Sequence, residues 1–203
     1  MRPRRGRGRR QWRQGEARPM ISRRRFLRDE AGVSAIEFAL IAPVLCLIFV
    51  ATLDLGGALY TRFELNEAVS ASAAYALVQG ESVTATDVGD YATAVAAVAA
   101  NSRGTGWANV TVTVNNGATR TVAGGNPAAS GSTATADNCY CPRADGTINW
   151  TSTVACATQC TGTNLVSGKF VEIEARRSYQ PIFAGYGIVD GGEIPVSAVV
   201  QVQ

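Results

Sequence analysis

The chain has no histidine. This removes the commonest general base and the commonest metal ligand. It excludes Ser-His-Asp and Cys-His nucleophilic sites and histidine-based zinc sites. Aromatic residues make up only 7% of the chain, while Ala, Gly, Ser, Thr and Val abound. That composition suits a lightly packed exported domain better than an enzyme with a deep pocket. Asp87 and Asp90 fit the start of a helix, and Glu172 and Glu174 fit the solvated face of a strand. No catalytic residue, metal site or cofactor is expected.

Negative charge is scarce at the start of the chain, and positive charge is scarce after it. Of 19 basic residues, 12 precede Val33, all of them arginine. Only Glu16, Asp29 and Glu30 oppose them, so 7 basic and 13 of the 16 acidic residues remain for the rest. A basic arm can bind nucleic acid. Here an apolar segment follows directly, and retention of positive charge on the cytoplasmic side of a membrane is the simpler reading. No nucleic-acid partner is expected.

From Phe38 to Leu53 there is no charge, and back to Val33 only Glu37 interrupts. Spanning a bilayer takes about 20 residues. A cleaved signal peptide needs a small-x-small site after a shorter apolar stretch, and Asp54 spoils the nearest candidates. Leu59, Phe63, Val69, Ala73, Ala76 and Leu77 continue at helical spacing, with Arg62, Glu64 and Glu67 between them. The spacing predicts one long helix, membrane-embedded at first and amphipathic later. It passes Pro43, which membrane helices tolerate, and stops near Gln79-Gly80. The expected divisions are a basic leader (1–32, with Met20 as an alternative start), a transmembrane helix (33–54), an amphipathic extension (55–80) and an exported domain (81–203).

Gly32, Val33-Ser34-Ala35-Ile36 and Glu37-Phe38 resemble the G-x-x-x-x-E processing motif of type IV prepilins. The basic leader before it and the apolar helix after it strengthen the match. From Ala31 to about Ala76, the run AGVSAIEFALIAPVLCLIFVATLDLGGALYTRFELNEAVSASAAYA is similar to the TadE-like family, minor pilins or pseudopilins of tight-adherence (Flp) pilus systems. The resemblance implies cleavage between Gly32 and Val33 by a prepilin peptidase. It implies a charge-pairing role for Glu37, whose partner is the new Val33 amine. It also implies helix packing through Ala35, Ala39 and Ala42. Implied partners are the prepilin peptidase, other minor pilin-like subunits, the pilus assembly platform and membrane lipid. The implied location is the bacterial cytoplasmic membrane, single-pass, with the N-terminus cytoplasmic and the C-terminal domain outside. The alternative is a permanently anchored adhesion module that is neither processed nor built into a pilus.

In the exported part, Val88, Tyr91, Ala92, Val95, Val98 and Ala99 form a helical stripe, with Thr86 as the expected N-cap and Asp87 in the first turn. Val110, Val112 and Val114 alternate as a strand. Asn116-Gly117 predicts a two-residue turn, and Thr119 to Val122 return as a hairpin. Gly124 to Asn138 reads as a flexible loop, and Gly185 to Gly192 as another. Val171, Ile173 and Ala175, then Val196, Ala198, Val200 and Val202, predict two more strands, the last reaching the end of the chain. Cys46 reads as a small buried apolar residue. Cys139, Cys141, Cys156 and Cys160 have spacing that zinc could use, but an oxidising compartment favours disulfides. Cys139 and Cys141 each pair with Cys156 or Cys160, and both connectivities stay open. The fold class expected is α+β: a long N-terminal membrane-spanning helix running into a pilin-like domain with a second helix and an antiparallel sheet.

Overall fold

The computed structural model describes residues 31–182, 189 and 191–203. The leader with Met20, and most of the loop from Gly185 to Gly192, lie outside the described residues. The chain falls into two compact units, Met1–Leu47 and Ile48–Gln203. Helix α1 (Ala31–Gln79) runs through both without interruption at Pro43. From Val33 to Leu47 its side chains are exposed, apart from the half-buried Ala42. It is long and apolar enough to cross a membrane.

In the second unit α1 becomes two-faced. Asp54, Ala58, Thr61, Leu65, Ala68, Val69, Ser72 and Ala76 are buried. Their spacing of three and four residues places them on one side of the helix. Leu59, Phe63 and Leu77, which continue the apolar periodicity, remain exposed. The inward face is thus built mainly from small residues, and this offsets it from the stripe that residue size suggests.

The small residues face helix α2 (Val88–Ala100), which buries Val88, Tyr91, Ala92, Val95, Ala96, Ala99 and Ala100. Alanines on both sides let the backbones come close enough for direct hydrogen bonds. Ser72 donates to the Val95 carbonyl at 2.7 Å, and the Tyr91 hydroxyl donates to the Ala76 carbonyl at 2.9 Å. The start of α2 differs from expectation: Asp87, not Thr86, holds the N-cap position and makes no side-chain cap bond. Its carboxylate instead accepts from the Thr84 hydroxyl and the Thr84 N–H, both at 2.7 Å. The contact fixes the turn that leads into the helix, three residues ahead of the N-cap. The Thr84 hydroxyl first, then its N–H, holds the Asp87 carboxyl below its ordinary range by favouring the ionised form.

Among the described residues seven strands follow: β1 (Asn109–Val114), β2 (Ala118–Ala123), β3 (Asn126–Ser130), β4 (Cys139–Pro142), β5 (Ile148–Val154), β6 (Phe170–Ser178) and β7 (Glu193–Gln201). Five form an antiparallel sheet in the order β3-β2-β1-β6-β7, while β4 and β5 pair separately. Val110, Val112 and Val114 of β1 and Val171, Ile173 and Ala175 of β6 are buried, as alternation predicts. Helix α2 packs over β1, β2 and β6, and the buried face of α1 joins the same core. On the opposite side of β1 and β2, the Thr111–Thr121 and Thr113–Thr119 hydroxyl pairs meet at 3.1 and 3.2 Å.

Three local expectations are corrected. The turn between β1 and β2 sits one residue early. Asn115 (φ 48°) and Asn116 (φ 50°) take the left-handed conformation, and the Gly117 N–H donates to the Val114 carbonyl at 2.9 Å. Positive φ at both central residues makes a type I′ turn. The segment from Gly124 to Asn138 contains β3 and a single 3₁₀ turn (Thr133–Thr135). Every residue of β3 is exposed, so no alternation announces it, and Pro127 is admitted because the strand lies at the sheet edge. Strand β7 ends at Gln201, short of the last residue.

The shifted turn has a structural cause in Asn115, which is fully buried. Its Nδ2 donates to the carbonyls of Thr135, Ala136 and Asn138 at 3.2, 2.9 and 2.9 Å. Its Oδ1 accepts the Phe170 N–H at 2.8 Å. One side chain therefore ties the β1–β2 turn to the 3₁₀ segment and to the start of β6. Asn115→Ala should destabilise the protein by about 3 kcal/mol, because it strips buried partners as well as removing bonds. Thermal unfolding of the detergent-solubilised chain should show this as a midpoint lowered by roughly 10 °C.

Candidate assembly site

Gly32, Val33 and Glu37 all lie in the N-terminal part of α1. Val33 is 52% exposed, and Glu37 is exposed four residues later, on the same helical face. Among the described residues, no basic side chain forms an ion pair with Glu37. A carboxylate at the centre of a membrane helix costs about 2.5–3.5 kcal/mol, and less near an end. Among the described residues, Glu37 is therefore a charge with no ion-pair partner on an apolar helix. Ala35 and Ala39 are exposed beside it, and Ala42 is half-buried. Cys46 is free and exposed, not buried as its size and polarity suggested. Exposure on such a helix faces it to whatever surrounds the helix rather than to a protein core.

Where the uncharged run ends, Asp54 is only 2% exposed. Its Oδ1 accepts the Ile182 N–H at 2.8 Å, and its carbonyl accepts the Tyr179 hydroxyl at 2.9 Å. One turn further on, a Cβ on Gly57 would stand 2.5 Å from the Tyr179 oxygen, so only glycine leaves room for that ring. Asp54 and Gly57 together strap the segment after β6 onto α1. In the sequence, Asp54 is visible only as the charge that ends an apolar run. Its partners lie more than a hundred residues away, so no local pattern could announce them.

Further along the same face, Glu64 has a side chain only 12% exposed, held by Arg177 at 3.1 Å and Arg103 at 3.3 Å. Arg103 also reaches Glu67 at 3.0 Å. The Arg177 guanidinium lies 4.6 Å from the centre of the Trp107 ring, a distance suited to cation–π attraction. The exposed Arg103–Glu67 pair contributes at most about 1 kcal/mol. The shared, largely covered Glu64 does more, by fixing α1 against β6 and the loop after α2. A cleft of about 620 Å³ opens beside this region, lined by Leu55, Leu59, Arg62, Glu174, Arg176 and Ile194 among others.

The cysteine segment is a braced hairpin. Cys139 pairs with Cys156, and Cys141 with Cys160, which settles the connectivity that spacing left open. Tyr140 meets Trp150 edge-on at 5.0 Å, and Trp150 meets Phe170 at 6.2 Å. The Tyr140 and Gly168 backbones exchange bonds of 2.9 and 3.0 Å. Residues 151–159 are all exposed, so this stretch has almost no core of its own. The two covalent links do the work that burial does elsewhere.

Residues 32–74 match the family model described as TadE-like protein. The chain thus carries a TadE-like segment, and that segment coincides with α1 from Gly32 to Ala74. Nothing matches among curated proteins or solved structures.

Native protein should titrate one free thiol without reductant and five with it. Replacing Cys139 and Cys156 together by serine should lower unfolding stability by about 3 kcal/mol, as for a closed loop of this size, read by chemical denaturation. Asp54→Ala should speed hydrogen exchange at the Ile182 amide by about 10-fold, the equivalent of one lost buried bond. Gly57→Val should do the same by displacing Tyr179.

Proposed function

We propose that this protein is a minor pilin or pseudopilin-like subunit of a tight-adherence (Flp) pilus assembly system, with a structural rather than catalytic role. It sits in the cytoplasmic membrane as a single-pass protein, with the basic leader inside and the disulfide-braced domain outside. The observation that carries this reading is the coincidence of the TadE-like segment with α1, in which Glu37, without an ion pair among the described residues, stands four residues after Val33. The disulfides suit an oxidising compartment.

In this reading a prepilin peptidase hydrolyses the Gly32–Val33 peptide bond, leaving a carboxylate on Gly32 and a free amine on Val33. The amine is the charge that Glu37 lacks. Within one chain the two are at i, i+4 spacing. Between subunits, the Val33 amine of one and Glu37 of the next can neutralise each other away from water. A pair so placed costs much when one member is missing and favours one register of assembly. Other minor pilin-like subunits and the membrane platform are the partners that the exposed helix meets.

N-terminal sequencing of the membrane form tests this directly. The mature chain should begin at Val33, and Gly32→Leu should leave the leader attached. Glu37→Gln should be processed normally yet reduce surface piliation by about 10-fold or more. A wild-type membrane form that keeps its leader, with normal piliation in the Gly32→Leu strain, would sink the proposal.

A further inference from the structure

Gly56 stands inside α1, yet nothing among the described residues accounts for it. A Cβ built there meets no heavy atom within 4 Å. A glycine in a helix interior costs about 1 kcal/mol relative to alanine. Gly57 beside it is explained by Tyr179, whereas Gly56 faces away from the domain. Its helical neighbours on that side are large and uncovered: Phe49 is 64% exposed, Tyr60 62% and Phe63 64%, while Leu59, 45% exposed, stands at the border where the cleft opens towards β6 and β7. These are residues of the second unit, opposite the buried Asp54, Ala58, Leu65 and Ser72.

The exposed positions have a regular spacing. Phe49, Thr52, Gly56, Leu59, Phe63, Asn66 and Ser70 are all exposed and separated alternately by three and four residues. That is the a/d seam of a coiled coil, with Phe49, Gly56, Phe63 and Ser70 at a and Thr52, Leu59 and Asn66 at d. We infer that α1 of this chain pairs with α1 of a second copy as a parallel, in-register coiled coil centred on Gly56, Leu59 and Phe63. Gly56 is the notch that lets the two backbones approach between the bulky layers.

The charges beside the seam identify the occupant as a second copy. Arg62 falls at g, and Glu67 falls at e of the next heptad. In a parallel pair these positions face each other across the seam, and they set partner choice and orientation. Arg62 is exposed and has no ion pair among the described residues. Glu67 keeps 75% of its side chain exposed beside Arg103. Two copies therefore form two symmetric Arg62–Glu67 pairs. At the preceding g and e positions, Leu55 and Tyr60 make the matching apolar pair. The parallel direction rests on the membrane-anchored reading of α1, while the pairing itself requires no cleavage and no pilus.

The test uses the full chain with Cys46→Ser, expressed in bacterial membranes without any other pilus protein, and single cysteines added one at a time. Oxidation followed by non-reducing electrophoresis should give dimers at Leu59→Cys and Phe63→Cys. Yields should be about 10-fold above those at Ala71→Cys and Tyr75→Cys, which lie off the seam on exposed surface. Gly56→Leu should cut the Leu59→Cys dimer several-fold. Arg62→Glu should do likewise, and Arg62→Glu with Glu67→Arg should restore it. Intact mass showing both native disulfides confirms that each variant has folded. Equal yields on and off the seam, no dimer at any seam position, or a charge reversal that changes nothing would overturn the inference. So would seam cross-links that appear only with a different co-expressed pilin-like subunit. None of these results depends on cleavage after Gly32, so the pairing and the pilus assignment stand or fall separately.

Discussion

Ser72 and Ala76 bond α1 to α2, and Leu65, Ala68 and Ala76 belong to the core that both helices share with the sheet. Leu65 is fully buried, which contributes about 2 kcal/mol of apolar transfer. The small residues around it let helix meet helix closely enough for Ser72 and Tyr91 to bond across. Because α2 in turn covers β1, β2 and β6, the contact joins the membrane-type helix to the sheet through one core. The same helix must satisfy two environments along its length. Its first part is apolar all round, and its second part is apolar inward in small residues and outward in large ones. That division leaves one face against the domain and another uncovered.

Much of this architecture was legible. The charge-free run, the alternating valines of β1 and the Val171–Ile173–Ala175 pattern of β6 are periodicities imposed by burial on one side, and burial is a local signal once an element has length. The missed elements lack it. Strand β3 is exposed at every position and exists because β2 offers an open edge. The turn moved to Asn115-Asn116 because the Asn115 side chain reaches Thr135, Ala136, Asn138 and Phe170, partners that only the folded chain brings within bonding distance.

The candidate site divides in the same way. Gly32, Val33 and Glu37 could be singled out as candidates because they are close in sequence and their context, a basic leader and an apolar helix, is contiguous. Asp54 and Glu64 were visible as acids but not as ties, since Tyr179, Ile182, Arg103 and Arg177 come from distant strands and loops. Large apolar residues on α1 pointed to the wrong buried face. Size predicts burial only when the covering element has room for it, and α2 accepts alanine and serine instead.

By itself the sequence determined the long apolar helix, the basic composition of the residues before it, the resemblance of its start to a processing motif and the grouping of four cysteines in one short segment. Each follows from composition or short-range spacing, where transfer free energy acts residue by residue. Only the tertiary structure decided which face of α1 is buried and which cysteines pair. It alone decided that Asp54 and Gly57 form a strap, and that Gly56 has no neighbour among the described residues to account for it. Those depend on which surfaces meet, and surfaces meet through contacts between residues far apart in the chain.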